Sequence, residues 1–240
     1  MVTSVRLAEK LATLFNARVS TCFNTYKHLQ AADLVSRGGR GRHAAQVTAK
    51  DSVTLLFALI GSEHINDGPE AARRYSSLVA RWRSCYGSLS DERSETDARW
   101  YAIEDRFPYL KPLNVGHTFS EAVVALVNSY KDRAIRTPEP TIAVTIRGPQ
   151  ISGTIRFDVS EGVGHHPVAP NNATPTPVTV APIAGEQIDY GAGSGRDMFR
   201  TIIGNPNSPP MRTANYLHVE KRITAETLQA IGELLRDDGI

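Results

Sequence analysis

The chain has 240 residues, of which 41% are hydrophobic and 22% are charged. This composition is typical of a globular protein and argues against wholesale disorder. The main apolar stretch, residues 53–60, is too short to cross a bilayer, and the polar N-terminus does not resemble a secretory leader. Cys22 and Cys85 lack metal-type spacing. We therefore expect a cytoplasmic protein with no membrane partner.

The charge is unevenly distributed along the chain. The net charge is only +2, but residues 1–50 hold eight basic and two acidic residues, so that segment carries +6. A basic segment of this kind is the electrostatic footprint of a surface that binds phosphate groups.

Two helices and a loop are predicted in this basic segment. Residues 4–15 form an amphipathic pattern with Ser4 as the cap, and residues 18–32 form a second one. We expect a strand to start at Leu34 and Val35, a Gly-rich basic loop to follow, and a return strand to end at Val47. Thr48 then opens a further helix.

The rest of the chain predicts helices and a small sheet. Residues 69–86 and 118–131 read as helices, and residues 141–159 as a β-hairpin turning at Gly148 and Pro149. Residues 162–212 read as a long flexible loop, because residues 162–185 contain five prolines and no Asp, Glu, Lys or Arg. Residues 215–223 can form a strand, and Thr224 caps a final helix.

The order of elements from Arg18 to Val47 resembles the winged helix-turn-helix superfamily of DNA-binding proteins. The resemblance is carried by Val19-Ser20-Thr21 at the start of the second helix, by residues 28–35 where that helix ends, and by the predicted wing, residues 36–47. One helix of the usual pattern is missing before it, so residues 51–60 or a partner subunit would have to replace that helix. The sequence as a whole also resembles those of small regulators encoded in prophage-like elements.

The resemblance implies a recognition helix that presents its N-terminal residues to base edges in the major groove. Ser20, Thr21, Asn24 and His28 are suited to base contacts, and Arg18 and Lys27 to phosphate contacts. In the wing, three arginines have three glycines and no acid within the loop, so a polyanion is their expected partner. The expected DNA-binding residues are Arg18, Ser20, Thr21, Asn24, Lys27, His28, Arg37, Arg40, Arg42 and His43.

Other signals carry less weight. Residues 188–196 resemble the first motif of S-adenosylmethionine-dependent methyltransferases, but a Pro-rich stretch precedes them and only 44 residues follow. A flexible Gly-rich loop is the preferred interpretation there. His165 and His166 have no spaced third ligand for a metal. One predicted helix carries Arg73, Arg74, Arg81 and Arg83. These side chains would form either a solvated face or a secondary contact with DNA or a partner. We find no catalytic constellation, and expect neither enzyme activity nor a cofactor.

The sequence therefore predicts an α+β protein. Residues 1–64 would form a winged helix-turn-helix domain, and residues 65–240 a mixed helical and small-sheet region for dimerisation or partner binding. The expected function is sequence-specific binding of double-stranded DNA by a transcriptional regulator, as a homodimer, with RNA polymerase or another regulator as a further partner. Two alternatives stay open: a phage small-terminase-like DNA-packaging adaptor, and a protein-binding module that blocks a host or phage factor.

Overall fold

A computed structural model describes residues 2–37, 46–86, 103–104, 106–114, 116–135, 141–148, 151–159, 184–191 and 219–236. Within these ranges the helices are α1 (Ser4–Leu14), α2 (Val19–Ala31), α3 (Ala49–Gly61), α4 (Gly68–Ser76), α5 (Phe119–Lys131) and α6 (Ala225–Arg236). The strands are β1 (Val79–Tyr86), β2 (Thr141–Gly148), β3 (Ser152–Val159), β4 (Ala184–Gly191) and β5 (Val219–Thr224). The α+β class is therefore confirmed.

The five strands form one antiparallel sheet in the order β1-β4-β3-β2-β5. Along its buried face, Ile223, Val144, Ile155 and Ile188 are register partners from strand to strand. Since side chains alternate between the two faces of a strand, this apolar row faces the helices and the neighbouring positions face away from them.

The helix layer is organised around α3, which is buried on most of its surface. An all-round apolar helix belongs at the centre of a core, and α3 contacts α2, α4, α5, α6 and β2. Phe57 of α3 stacks on Phe119 of α5 with ring centroids 5.1 Å apart. Phe119 in turn lies 4.9 Å from the ring of Tyr190 on β4, so aromatic packing joins the helices to the sheet.

Several predicted elements are present in the structure. Residues 4–15 and 18–32 correspond to α1 and α2, residues 118–131 to α5, and residues 141–159 to the β2–β3 hairpin. The predicted strand at 215–223 and the helix after Thr224 correspond to β5 and α6. None of the described helices has the length and apolar character to cross a bilayer.

Two predictions about the sheet were wrong. Residues 69–86 are not one helix, because α4 ends at Ser76 and β1 begins at Val79. Arg73 and Arg74 therefore lie on α4, where Arg74 pairs with Glu70 at 2.7 Å, and Arg81 and Arg83 lie on β1. The loop predicted for 162–212 is interrupted by β4, which pairs with β1 on one side and β3 on the other.

The core crosses the domain boundary predicted at residue 64. One cluster of buried side chains contains residues from Val2 to Leu235, and Phe57 and Phe119 lie on opposite sides of the boundary. The division into domains at 1–64 and 65–240 stays a prediction, which the folding of residues 1–64 alone would test.

Candidate nucleic-acid interface

The second helix exposes one polar stripe. The chain leaves α1 at Leu14, turns with Asn16 in the left-handed region (φ 49°), and enters α2 after Arg18. The buried residues of α2 are Cys22, Thr25, Tyr26 and Leu29. This buried face fixes the orientation of α2 and turns the opposite face to solvent.

The residues predicted to contact DNA occupy that opposite face. Ser20, Asn24, Lys27 and His28 are exposed, and their spacing places them on one side of a helix. Arg18 is exposed just before the helix, and Thr21 is half-buried beside the stripe. Arg37 is exposed after the helix, whereas Arg40, Arg42 and His43 lie outside the described residues.

Two of the cations have local partners that restrict their side chains. The Lys27 ammonium lies 4.6 Å from the centroid of the Phe23 ring, a cation–π contact. Arg37 Nε donates to the Gln30 carbonyl at 3.1 Å and pairs with Asp33 at 2.8 Å. The prediction that no acid neutralises the wing arginines was therefore wrong for Arg37, because Asp33, two residues after α2, reaches it.

The described residues that flank the predicted wing are not in strands. Leu34 and Val35 follow a turn after α2, and residues 46–48 lead directly into α3. The strand predicted at Leu34 was wrong, and so was the return strand at Val47, whose amide instead donates to the Val2 carbonyl at 3.1 Å. Both described segments instead meet at the start of α3.

A buried carboxylate holds the two segments together. Asp51 is 3% exposed. It accepts hydrogen bonds from the amide and hydroxyl of Ser36 at 2.8 and 3.0 Å, and from those of Thr48 at 2.9 and 2.8 Å. Thr48 and Asp51 thereby form the capping box of α3, and Ser36 joins it from the exit of α2.

The Asp51 site also affects a neighbouring tyrosine of α2. Burial, and secondarily the negative charge of Asp51, raise the pKa of Tyr26 to about 12. Tyr26 therefore stays neutral at physiological pH. The sequence predicted that Thr48 starts a helix, but nothing in it pointed to the contact with Ser36, which lies 15 residues from Asp51.

A second buried polar group lies where α5 meets the sheet. His117 is 5% exposed, with Nδ1 3.0 Å from the Asn114 carbonyl and Nε2 2.9 Å from the Tyr190 hydroxyl. A carbonyl can only accept, so Nδ1 carries the proton and Nε2 accepts from Tyr190. Burial lowers the pKa of His117. Sequence reasoning did not identify this pair, whose members lie 73 residues apart.

The methyltransferase-like segment begins in β4 and is not a loop there. Residues 188–191 pair antiparallel with β1 and β3, whereas the cofactor motif needs a parallel strand in a βαβ unit. The preferred interpretation as a flexible loop was wrong for these four residues; residues 192–196 lie outside the described part. Asp189 accepts from the Thr154 hydroxyl at 2.8 Å.

No group of three or more potential ligands among the described residues could hold a metal ion, and His165 and His166 lie outside them. No family model, curated protein or solved structure matches the chain.

Proposed function

We propose that the protein is a sequence-specific double-stranded DNA-binding transcriptional regulator, with α2 as its recognition helix. The observation that carries the proposal is the exposed stripe of Ser20, Asn24, Lys27 and His28 on a helix that follows a short turn. A major groove admits one α-helix, whose polar side chains then meet the base edges.

The side chains on and beside the stripe include groups suited to base contacts and groups suited to phosphate contacts. The Asn24 amide can donate and accept at the same time, and so can pair bidentately with adenine. Arg18 and Lys27 can hold phosphates, which fix register and orientation but carry no sequence information. The net charge of +6 in residues 1–50 favours approach to a polyanion.

The test starts from duplex fragments selected from genomic DNA by the full chain. Binding of Asn24→Ala to a selected fragment is measured by fluorescence anisotropy against a scrambled duplex. We expect a loss of about 1–3 kcal/mol on the selected fragment and almost none on the scrambled one. Gln229→Ala, which truncates an exposed amide on α6, is the matched control and should bind like the parent.

If Asn24→Ala lost the same binding free energy on both duplexes, Asn24 would not contact base edges. Absence of binding to any duplex at low salt would reject the proposal and favour a module that blocks another protein. A ring-sized particle by native mass would favour the packaging adaptor over a regulator, for which we expect a dimer.

A further inference from the structure

A cleft of about 430 Å³ opens where the start of α3 meets the ends of α5 and α6. Its charged side chains are Lys50 from α3 and Lys131 from α5, and the amides of Gln46 and Asn128 line it as well. Among the residues that the structure describes, no carboxylate lines it. The cleft therefore offers two cations and two amide donors from separate parts of the chain.

The two lysines differ from several arginines of the described chain. Arg37, Arg74 and Arg147 each pair with a carboxylate. In the part of the chain that the structure describes, no carboxylate lies within ion-pair distance of Lys50 or Lys131. Two positive charges lining one cleft repel each other, and an anion bound between them would attract both and offset that repulsion.

The backbone holds both lysines in place. Lys50 lies within the capping box of Thr48 and Asp51. Lys131 ends α5 beside α6, where a Cβ added to Gly232 would lie 2.7 Å from the backbone nitrogen of Lys131. The Asp51 carboxylate already caps the start of α3, so an anion in the cleft would be bound by side chains and not by the helix terminus.

The cleft is connected to the exit of the recognition helix. Gln30 of α2 donates to the Ser36 carbonyl at 3.2 Å, and Ser36 donates to Asp51, the residue after Lys50. We propose that this cleft binds a backbone phosphate of the DNA duplex that α2 reads. The inference rests on the proposed function and adds to it a phosphate contact outside residues 18–43.

The test compares the salt dependence of DNA binding in two double variants of the full chain. Lys50→Gln with Lys131→Gln should flatten the slope of log K against log salt by about 0.9 for each lysine, because fewer counterions are released. Arg147→Gln with Arg222→Gln removes two exposed charges from the sheet face turned away from the helices. This control should keep the parent's slope, and thermal unfolding should show both variants folded.

If the lysine variant keeps the parent's salt slope while Asn24→Ala still weakens binding to the selected fragment, the cleft does not bind a DNA phosphate and the proposed function stands. If the parent binds no duplex, both proposals fail. Calorimetry with inorganic tripolyphosphate tests the other source of the same chemistry. If the parent binds tripolyphosphate but no duplex, and the lysine variant has lost the tripolyphosphate binding, the cleft is a site for small phosphates.

Discussion

Asp51 joins the exit of α2 to the start of α3 through one buried carboxylate. It caps α3 through Thr48 and receives both donors of Ser36 from the exit of α2. A buried amide that loses its acceptor costs more than an exposed one, because water cannot replace the missing partner. The same capping box occurs at α5 with Thr118 and Glu121, but there it is exposed.

These two capping boxes form a matched pair for mutation. We expect Asp51→Ala to lower the free energy of unfolding by about 3 kcal/mol, because it removes the cap and leaves buried donors unsatisfied. Glu121→Ala should cost no more than about 1 kcal/mol, because water can reach its cap. Urea denaturation measures both values, and equal costs would show that the Ser36 contacts contribute nothing.

His117 makes stability depend on pH. Because burial lowers its pKa in the folded state, the unfolded chain binds more protons below the ordinary value of 6.5. The contribution of neutral His117 is therefore fully present above pH 6.5 and is lost as the pH falls toward the lowered folded pKa.

Denaturation between neutral and mildly acidic pH checks this sign. The free energy of unfolding should decrease with falling pH more steeply in the parent than in His117→Gln. His64→Gln alters an exposed histidine and should behave like the parent. Identical pH profiles for the parent and His117→Gln would contradict the assignment.

At the scale of elements, local patterns predicted some parts of the fold and not others. Helix α5 and the β2–β3 hairpin carry strong periodicity, and α5 has a capping box at its start. Strands β1 and β4 were missed because their state is decided by pairing between distant segments. In β4 only Ile188 and Tyr190 alternate as apolar residues, which is too weak a pattern to predict a buried strand.

The candidate interface shows the same division between local and distant information. The exposed stripe of α2 followed from helical periodicity alone. The ion pair between Asp33 and Arg37 was missed although the two residues are four apart, because a strand was predicted to start between them at Leu34 and Val35. Asp33 in fact ends the helix turn in the left-handed region, with φ 58°.

That ion pair gives a prediction for the recognition element. Asp33→Asn keeps a residue type that tolerates the left-handed region, removes one negative charge, and releases Arg37 toward a phosphate. We expect DNA binding to tighten about two- to fivefold at low salt, in keeping with the small free energy of an exposed pair. Asp67→Asn removes an exposed acid beyond α3 and should change binding less; unchanged or weaker binding by Asp33→Asn would place Arg37 away from the DNA.

At the scale of the whole molecule, the helical N-terminal part and the sheet share one core. Phe57 is fully buried and stacks on Phe119, and Leu55 and Leu56 are buried in the same cluster. Removing residues 65–240 would take Phe119 and Tyr75 away from Phe57 and expose that ring to water, at a cost of about 1.5–3 kcal/mol. We expect the fragment of residues 1–64 to show no cooperative thermal transition by circular dichroism, whereas the full chain should show one; a cooperative fragment that binds DNA would establish a separate domain.

The most direct test of the central claim is the affinity of the full chain for duplex DNA as salt is varied. If α2, its flanking cations and the cleft lie on the DNA, binding should be clear at about 50 mM salt and should weaken steeply, with a log–log slope of about −4 to −6 from the basic groups involved. Failure to bind selected or random duplex at about 50 mM salt, where phosphate contacts are strong, would contradict the account.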